Sequence, residues 1–512
     1  MLEKLSLLII TVIIAVCTHQ VVQVRNDFMY RKTLIPAQPV TGQFQEPDTL
    51  SRVEAFLVLQ QLEPVRITSS LKAVSDPLSG EYRNFKSVQH WGDLVKPNYM
   101  DRQGVVRWLR TGEVEFTDRG DHLHLRGTVG SFNALFNTKL LLDGYRLVNY
   151  HDITIPRSVT AVEALVGLVT VPGSRAEAPP SAGVDNRVLH AALGYPGTFT
   201  VQQRQKCRDI PNVATIEPSH ATLTVSGVPN VTNINITVVS EHGWCGVLEG
   251  LLRFGITYTD TDCMPSILVL PEYWNERLEC GKRVTCRTGL TDVGTGMDPY
   301  WLVERTNIEL AKLALAGVTV IAASPSELLS STDMVCGAAM FPASSPWVVS
   351  VGDVSAAYAQ ASTGVVHLES LSRGGFSWIS DRPWYQPTAV SSYLDTAVGL
   401  PPTYTYNGAG RAYPDIVVPG TGDMSAAMVF ARALSHQVSQ LGRMGFINPV
   451  LYMHAGTGGD SSQSYMDSVR SIKENLYDCY PESDAQWTPH RGLGTPHNTV
   501  LAAWLTSAVK RS

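Results

Sequence analysis

Residues 301–323 read WLVERTNIELAKLALAGVTVIAA, and their order decides the fold class. Trp301 to Ala316 form an amphipathic run of good helix formers, and Gly317 supplies the stop that a helix end favours. Val318 to Ala323 are then apolar without alternation, as expected of a strand covered on both faces. A helix handing over to a buried strand implies a parallel α/β sheet.

The same alternation recurs on either side. Strand-like Ile236 to Val239 precede Trp244, Val247, Leu248, Leu251 and Leu252, which fall at helical spacing. Asp415 to Val418 read as a strand before Phe430, Leu434, Val438 and Leu441, which line one helix face. Residues just inside such helix starts sit where backbone N–H groups point outward, a favourable place for a nucleophile or an oxyanion.

Further out, Glu46 to Val171 mix alternating strand-like runs with short helical ones, and a Pro-, Ala- and Gly-rich stretch follows. Four segments result: a signal peptide over 1–22, an α+β domain over 35–171, a linker over 172–183 and an α/β domain over 184–512. The signal assignment rests on the apolar run Leu5 to Cys17 behind Glu3 and Lys4. That run is shorter than the ~20 residues a membrane-spanning helix needs, and no later segment is longer without charges or prolines, so an integral membrane protein is not expected.

At 512 residues, 44% hydrophobic and 17% charged, the chain suffices for two cores. A net charge of −6 with no basic cluster argues against a nucleic-acid partner. Outside the signal, Cys207, Cys245, Cys263, Cys280, Cys286, Cys336 and Cys479 are an odd set without zinc-site spacing, which suits a few disulfides and an unpaired thiol. The sequons at Asn230 and Asn235 are candidate glycan sites on a surface loop of a secreted chain.

An ordered set of motifs narrows the reading. In the N-terminal region stand Ala73-Val74-Ser75-Asp76-Pro77, Asp93-Leu94-Val95-Lys96-Pro97, Val105 to Leu109, Leu135-Phe136-Asn137-Thr138, and Ile155-Pro156. In the C-terminal region stand Arg305 to Leu310, Phe341 to Val348, Gly374-Gly375-Phe376-Ser377, Gly410 to Asp415, Gly445 to Tyr452 and Gly492 to Pro496. Together they resemble the tripeptidyl-peptidase I (sedolisin) family over about four-fifths of the chain, with Val184 to Thr285 matching only loosely. The resemblance implies a subtilisin-like peptidase domain behind a ferredoxin-like activation prodomain, in a secreted or lysosome-like setting.

It also implies an acid-adapted machinery, from whose residue pattern this chain departs at several positions. Sedolisins use a serine activated by a glutamate, with one aspartate orienting that glutamate and another at the oxyanion. Where the family carries the nucleophile, this chain reads Thr421-Gly422-Asp423-Met424-Ser425-Ala426, which aligns Met424, a thioether with no proton to lose. A one-residue slide brings in Ser425 instead; the alternative is that Asp423 or Ser425 caps the helix. The base falls at Cys245 in Cys245-Gly246-Val247-Leu248-Glu249, so only Glu249 keeps a carboxylate, with Glu241 as a substitute ahead of the helix. Cys245 itself suits a small buried residue or disulfide partner. Ser326 stands at the oxyanion aspartate, after Pro325.

For the family's calcium, Asp467 matches one ligand, while Thr488 replaces the other, with Asp484 nearby. Calcium favours carboxylate-rich sites, so the implied site is depleted and no cofactor is expected. Two function classes follow: a catalytically inactive pseudopeptidase whose former cleft binds peptides or a protein partner, or an acid serine peptidase using Ser425 with Glu249 or Glu241. The prodomain is an intramolecular partner in either.

Overall fold

The computed structural model describes residues 30–35, 37, 44–143, 146–170, 213–218, 234–238, 244–258, 264–270, 274–276, 285–288, 291–294, 299–324, 339–360, 365–370, 374–420, 423–455, 480–481, 483–496 and 498–511. The signal segment and the 172–183 linker lie outside them. Two compact units emerge: Met1–Glu63 with Gly92–Ser174 and Val293–Gly296, and Pro64–Trp91 with Arg175–Asp292 and Met297–Ser512. Helix α1 (Val65–Ser75) lies in the Pro64–Trp91 segment, which belongs to the second unit although the residues on both sides of that segment belong to the first.

In the first unit, β1 (Arg31–Ile35) pairs with β7 (Ile153–Pro156). A six-stranded sheet is built from β2 (Arg52–Leu59), β3 (Glu115–Asp118), β4 (His122–Thr128), β5 (Leu140–Asp143), β6 (Arg146–Asn149) and β8 (Val162–Thr170), in the order β3-β4-β2-β8-β6-β5. Every pairing is antiparallel, with Phe56 opposite His124 and Val166. Alternation sends Val53, Ala55, Leu57 and Leu59 to one face. There they meet Val105, Trp108 and Leu109 of α2 (Tyr99–Leu109) and Phe132 and Phe136 of α3 (Val129–Phe136). Both helices begin at side-chain caps: Asn98 accepts from the Asp101 N–H at 3.0 Å, and Thr128 and Ser131 form a capping box. Asn137, left-handed at φ 48°, ends α3. The result is the α+β domain expected of this region.

The second unit carries a seven-stranded sheet in which β9 (Val213–Pro218), β10 (Ile234–Val238), β11 (Ile267–Leu270), β12 (Thr319–Ala323), β13 (Val349–Gln360) and β17 (Ile416–Pro419) run parallel. The order is β10-β9-β11-β12-β13; β17 also pairs with β13, and β14 (Val365–Ser370) pairs with it antiparallel. A separate hairpin-like pair joins β15 (Gly375–Asp381) to β16 (Gly410–Tyr413). The helices are α4 (Trp244–Thr257), α5 (Pro299–Leu315), α6 (Asp423–Leu441), α7 (Asn448–Ala455) and α8 (Asn498–Arg511). Gly317, at φ +85°, donates its N–H to Ala314 O at 3.0 Å and closes α5 just before β12, as the sequence requires. Ile267, Val269, Ile321, Val349, Val351, Ile416 and Val418 pack against Ala427, Phe430, Leu434 and Val438 of α6. This is the subtilisin-like α/β architecture.

Candidate active site

The strand-to-helix step from β17 into α6 is anchored from beneath. Asp415, fully buried, accepts hydrogen bonds from the Ser350 N–H (2.8 Å), Arg411 Nη2 (2.6 Å), Asn448 Nδ2 (3.1 Å) and the Tyr452 hydroxyl (2.9 Å). Arg411 has no exposed surface and also donates Nε to Ser345 O at 3.0 Å. Burial by itself would lower the Arg411 guanidinium, but the Asp415 carboxylate outweighs it and holds the group above its ordinary value. Burial also pushes the phenols of Tyr385 and Tyr452 up, keeping them neutral donors. Three elements, β13, β16 and α7, are thereby fixed to the residue just ahead of β17.

Above that anchor the turn is tight. A Cβ on Gly420 would stand 2.7 Å from Ala426 N and 2.9 Å from Asp353 Oδ1, so only glycine lets the chain pass between the first turn of α6 and β13. Asp353 is a buried carboxylate on β13, in register with Val418, and sequence reasoning missed it. Its signal was an acid within the apolar run Val349 to Val354.

Asp423 is the first residue of α6, Met424 the second and Ser425 the third. In α4, Cys245 is the second residue and Glu249 the sole acidic one. Val247, Leu248, Leu251 and Leu252 are buried along it, as their spacing requires. Glu249 is buried with them, and its Oε1 accepts from Arg253 Nε one turn on at 2.7 Å. Glu241, Ser326, Asp467 and Asn230 lie outside the described residues.

Asn235 corrects an expectation. It lies in β10, paired with Thr215 of β9 at the sheet edge, rather than in a loop. The apolar alternation of Ile234, Ile236 and Val238 carries the sequon into a strand.

A second carboxylate that the sequence did not reveal is Glu276. Without exposure, it accepts from both Ser344 and Ser377 hydroxyls and from the Trp378 N–H, the last at 2.8 Å. Burial pushes its carboxyl up against the opposing pull of these bonds. A carboxyl beside two serines has the elements of a serine-carboxyl dyad, yet all three side chains are sealed from solvent, so the cluster braces β15. Ser344 and Ser377 belong to the Phe341–Val348 and Gly374–Ser377 motifs, whose role here is this support.

Calcium fits poorly where its second ligand is implied. Thr488 is buried; its carbonyl accepts from the Gly492 N–H at 2.8 Å and its hydroxyl from the Arg491 N–H at 3.4 Å. It offers no carboxylate, and Asp484 is exposed. Among the described residues, no three His, Cys, Asp or Glu side chains are grouped to hold a metal, and no helix is long and apolar enough to cross a membrane.

Residues 42–165 match the model of the pro-kumamolisin activation domain. The whole chain is similar to tripeptidyl-peptidase 1 of Rattus norvegicus, at 31% identity over 96% of this chain and 97% of the relative. It is similar also to tripeptidyl-peptidase 1 of Canis lupus familiaris, at 32% identity over 92% and 94%. Among solved structures, Pseudomonas sedolisin, a serine-carboxyl proteinase complexed with two molecules of pseudo-iodotyrostatin, overlaps 52% of this chain and 71% of its own at 16% identity, with a TM-score of 0.37.

Proposed function

The chain belongs to the sedolisin peptidase family, alongside tripeptidyl-peptidase 1, and from that premise we propose that it is a member without catalysis, whose former substrate cleft binds peptides or a protein partner in the secretory pathway. One observation carries the reading: the sole acidic residue of α4, Glu249, is buried and its carboxylate oxygen is engaged by Arg253 on the same helix. A base has to reach the nucleophile's proton, and this one is committed elsewhere. Met424 in the second position of α6 supports the same reading, since a thioether forms no acyl-enzyme. The protein needs no metal cofactor, because the residue at the second calcium position brings no charge.

The test is incubation of the purified full chain in acidic buffer with a fluorogenic tripeptide substrate and a fluorophosphonate probe, beside Ser425→Ala and Glu249→Gln. A folded protein that neither turns over nor labels is expected. Turnover and labelling that vanish in Ser425→Ala would overturn the proposal and establish the acid peptidase with Ser425 as nucleophile.

A further inference from the structure

Residues 64–91 fall within the matched activation-domain region, yet they pack as part of the second unit. The reason lies in four residues between Tyr82 and Lys86 and in one helix. Tyr82 is buried in the same core as Ile267, Ile321 and Val349, and burial pushes its phenol up to about 12. Arg83 donates Nη2 to Leu441 O (2.6 Å) and to Arg443 O (2.9 Å), and Nε to Arg443 O (3.1 Å). Leu441 ends α6, so this guanidinium caps the helix whose first turn holds Met424 and Ser425.

Three residues on, Lys86 donates its backbone N–H to the carbonyl of Leu315, the last residue of α5, at 3.2 Å. Between the two helix ends sits the ring of Phe85. A Cβ on Gly317 would come within 2.9 Å of Phe85 Cδ2, and one on Gly445 within 2.6 Å of Phe85 Cε1. Both glycines have positive φ, +85° and +63°, so their turns leave the slot the ring fills. Arg83 itself takes a left-handed φ of 62°, and its N–H is tied to Val74 O at 2.8 Å. A non-glycine residue holds that conformation when its surroundings fix it. Helix α1 adds Ile67, Leu71 and Val74 as a buried face and packs on α5.

A segment that finishes two helices of another unit and fills a slot shaped by two glycines is part of that unit's fold. We propose that residues 64–91 are a permanent component of the second unit, so that a cut within the 172–183 stretch yields two chains that remain joined rather than a released N-terminal piece. The proposal goes beyond the loss of catalysis and stands whether or not the protein cleaves peptides, because its test reads association alone.

In the test, the full chain carries a recognition sequence for a sequence-specific protease inserted after Gly183 and an affinity tag at the C-terminus. After cleavage, verified on a denaturing gel, it is run on size exclusion and over the affinity resin in neutral and in acidic buffer. The two fragments are expected to co-elute in equal amounts in both. Arg83→Ala and Phe85→Ala are each expected to weaken the association by at least about tenfold, whereas Lys86→Ala, which keeps the backbone N–H, leaves it unchanged. Separation of the unsubstituted fragments in either buffer overturns the proposal. So does undiminished co-elution of both the Arg83→Ala and the Phe85→Ala fragments, since the clamp would then not be what holds them.

Discussion

Substituting Asp415 by alanine removes one carboxylate and leaves a guanidinium with no exposed surface facing three abandoned donors. Breaking a buried ion pair from one side costs about 3–5 kcal/mol, because the surviving charge keeps its desolvation penalty without its partner. The Ser350 N–H, Asn448 amide and Tyr452 hydroxyl also lose their acceptor, and unsatisfied buried donors cost about 1–3 kcal/mol each before relaxation. Partial repacking and entry of water reduce that sum, so about 4–6 kcal/mol is expected for Asp415→Ala. At about 2–4 °C per kcal/mol for a unit of this size, Tm falls by roughly 8–24 °C. Asp415→Asn keeps one acceptor oxygen in the same shape and is expected to cost about half as much. Arg411→Met combined with Asp415→Ala removes both charges, and its cost should fall short of the sum of the single variants by at least about 1.5 kcal/mol. Urea and thermal unfolding of the four proteins measure these differences. A loss below about 1 kcal/mol for Asp415→Ala, or strict additivity in the double variant, refutes the view that this buried pair anchors the step into α6.

The raised Glu276 carboxyl gives a signed pH dependence. A carboxyl lifted on folding contributes stability that is full below its unfolded value and is lost as pH rises through its folded value. The protein should accordingly lose Tm between acidic and neutral buffer, and Glu276→Gln, which cannot ionise, should flatten that decline; an unchanged slope in the variant counts against the assignment. Calcium chelation should leave Tm within about 1 °C, since a site held at a hundredfold excess over its Kd would be worth about 2.7 kcal/mol and would show as a drop of several degrees.

The sequence alone determined the layered α/β class. Trp301 to Ala323 already carry a helix, its glycine stop and a buried strand, and the helices holding Glu249 and Ser425 contain the periodic residues that announced them. These are local properties, written in spacing along a few turns of chain. Family membership was legible for a similar reason, because short motifs keep their order along the chain. Tertiary structure alone decided the rest. Glu276 meets Trp378 across 102 positions, Asp415 meets Ser350 across 65, and Arg83 meets Arg443 across 360. Periodicity shows which face of an element is buried but not which distant element covers it. That choice follows from the packing of the whole chain, which makes Asp353 a carboxylate beside the start of α6 and Phe85 a plug between two glycines.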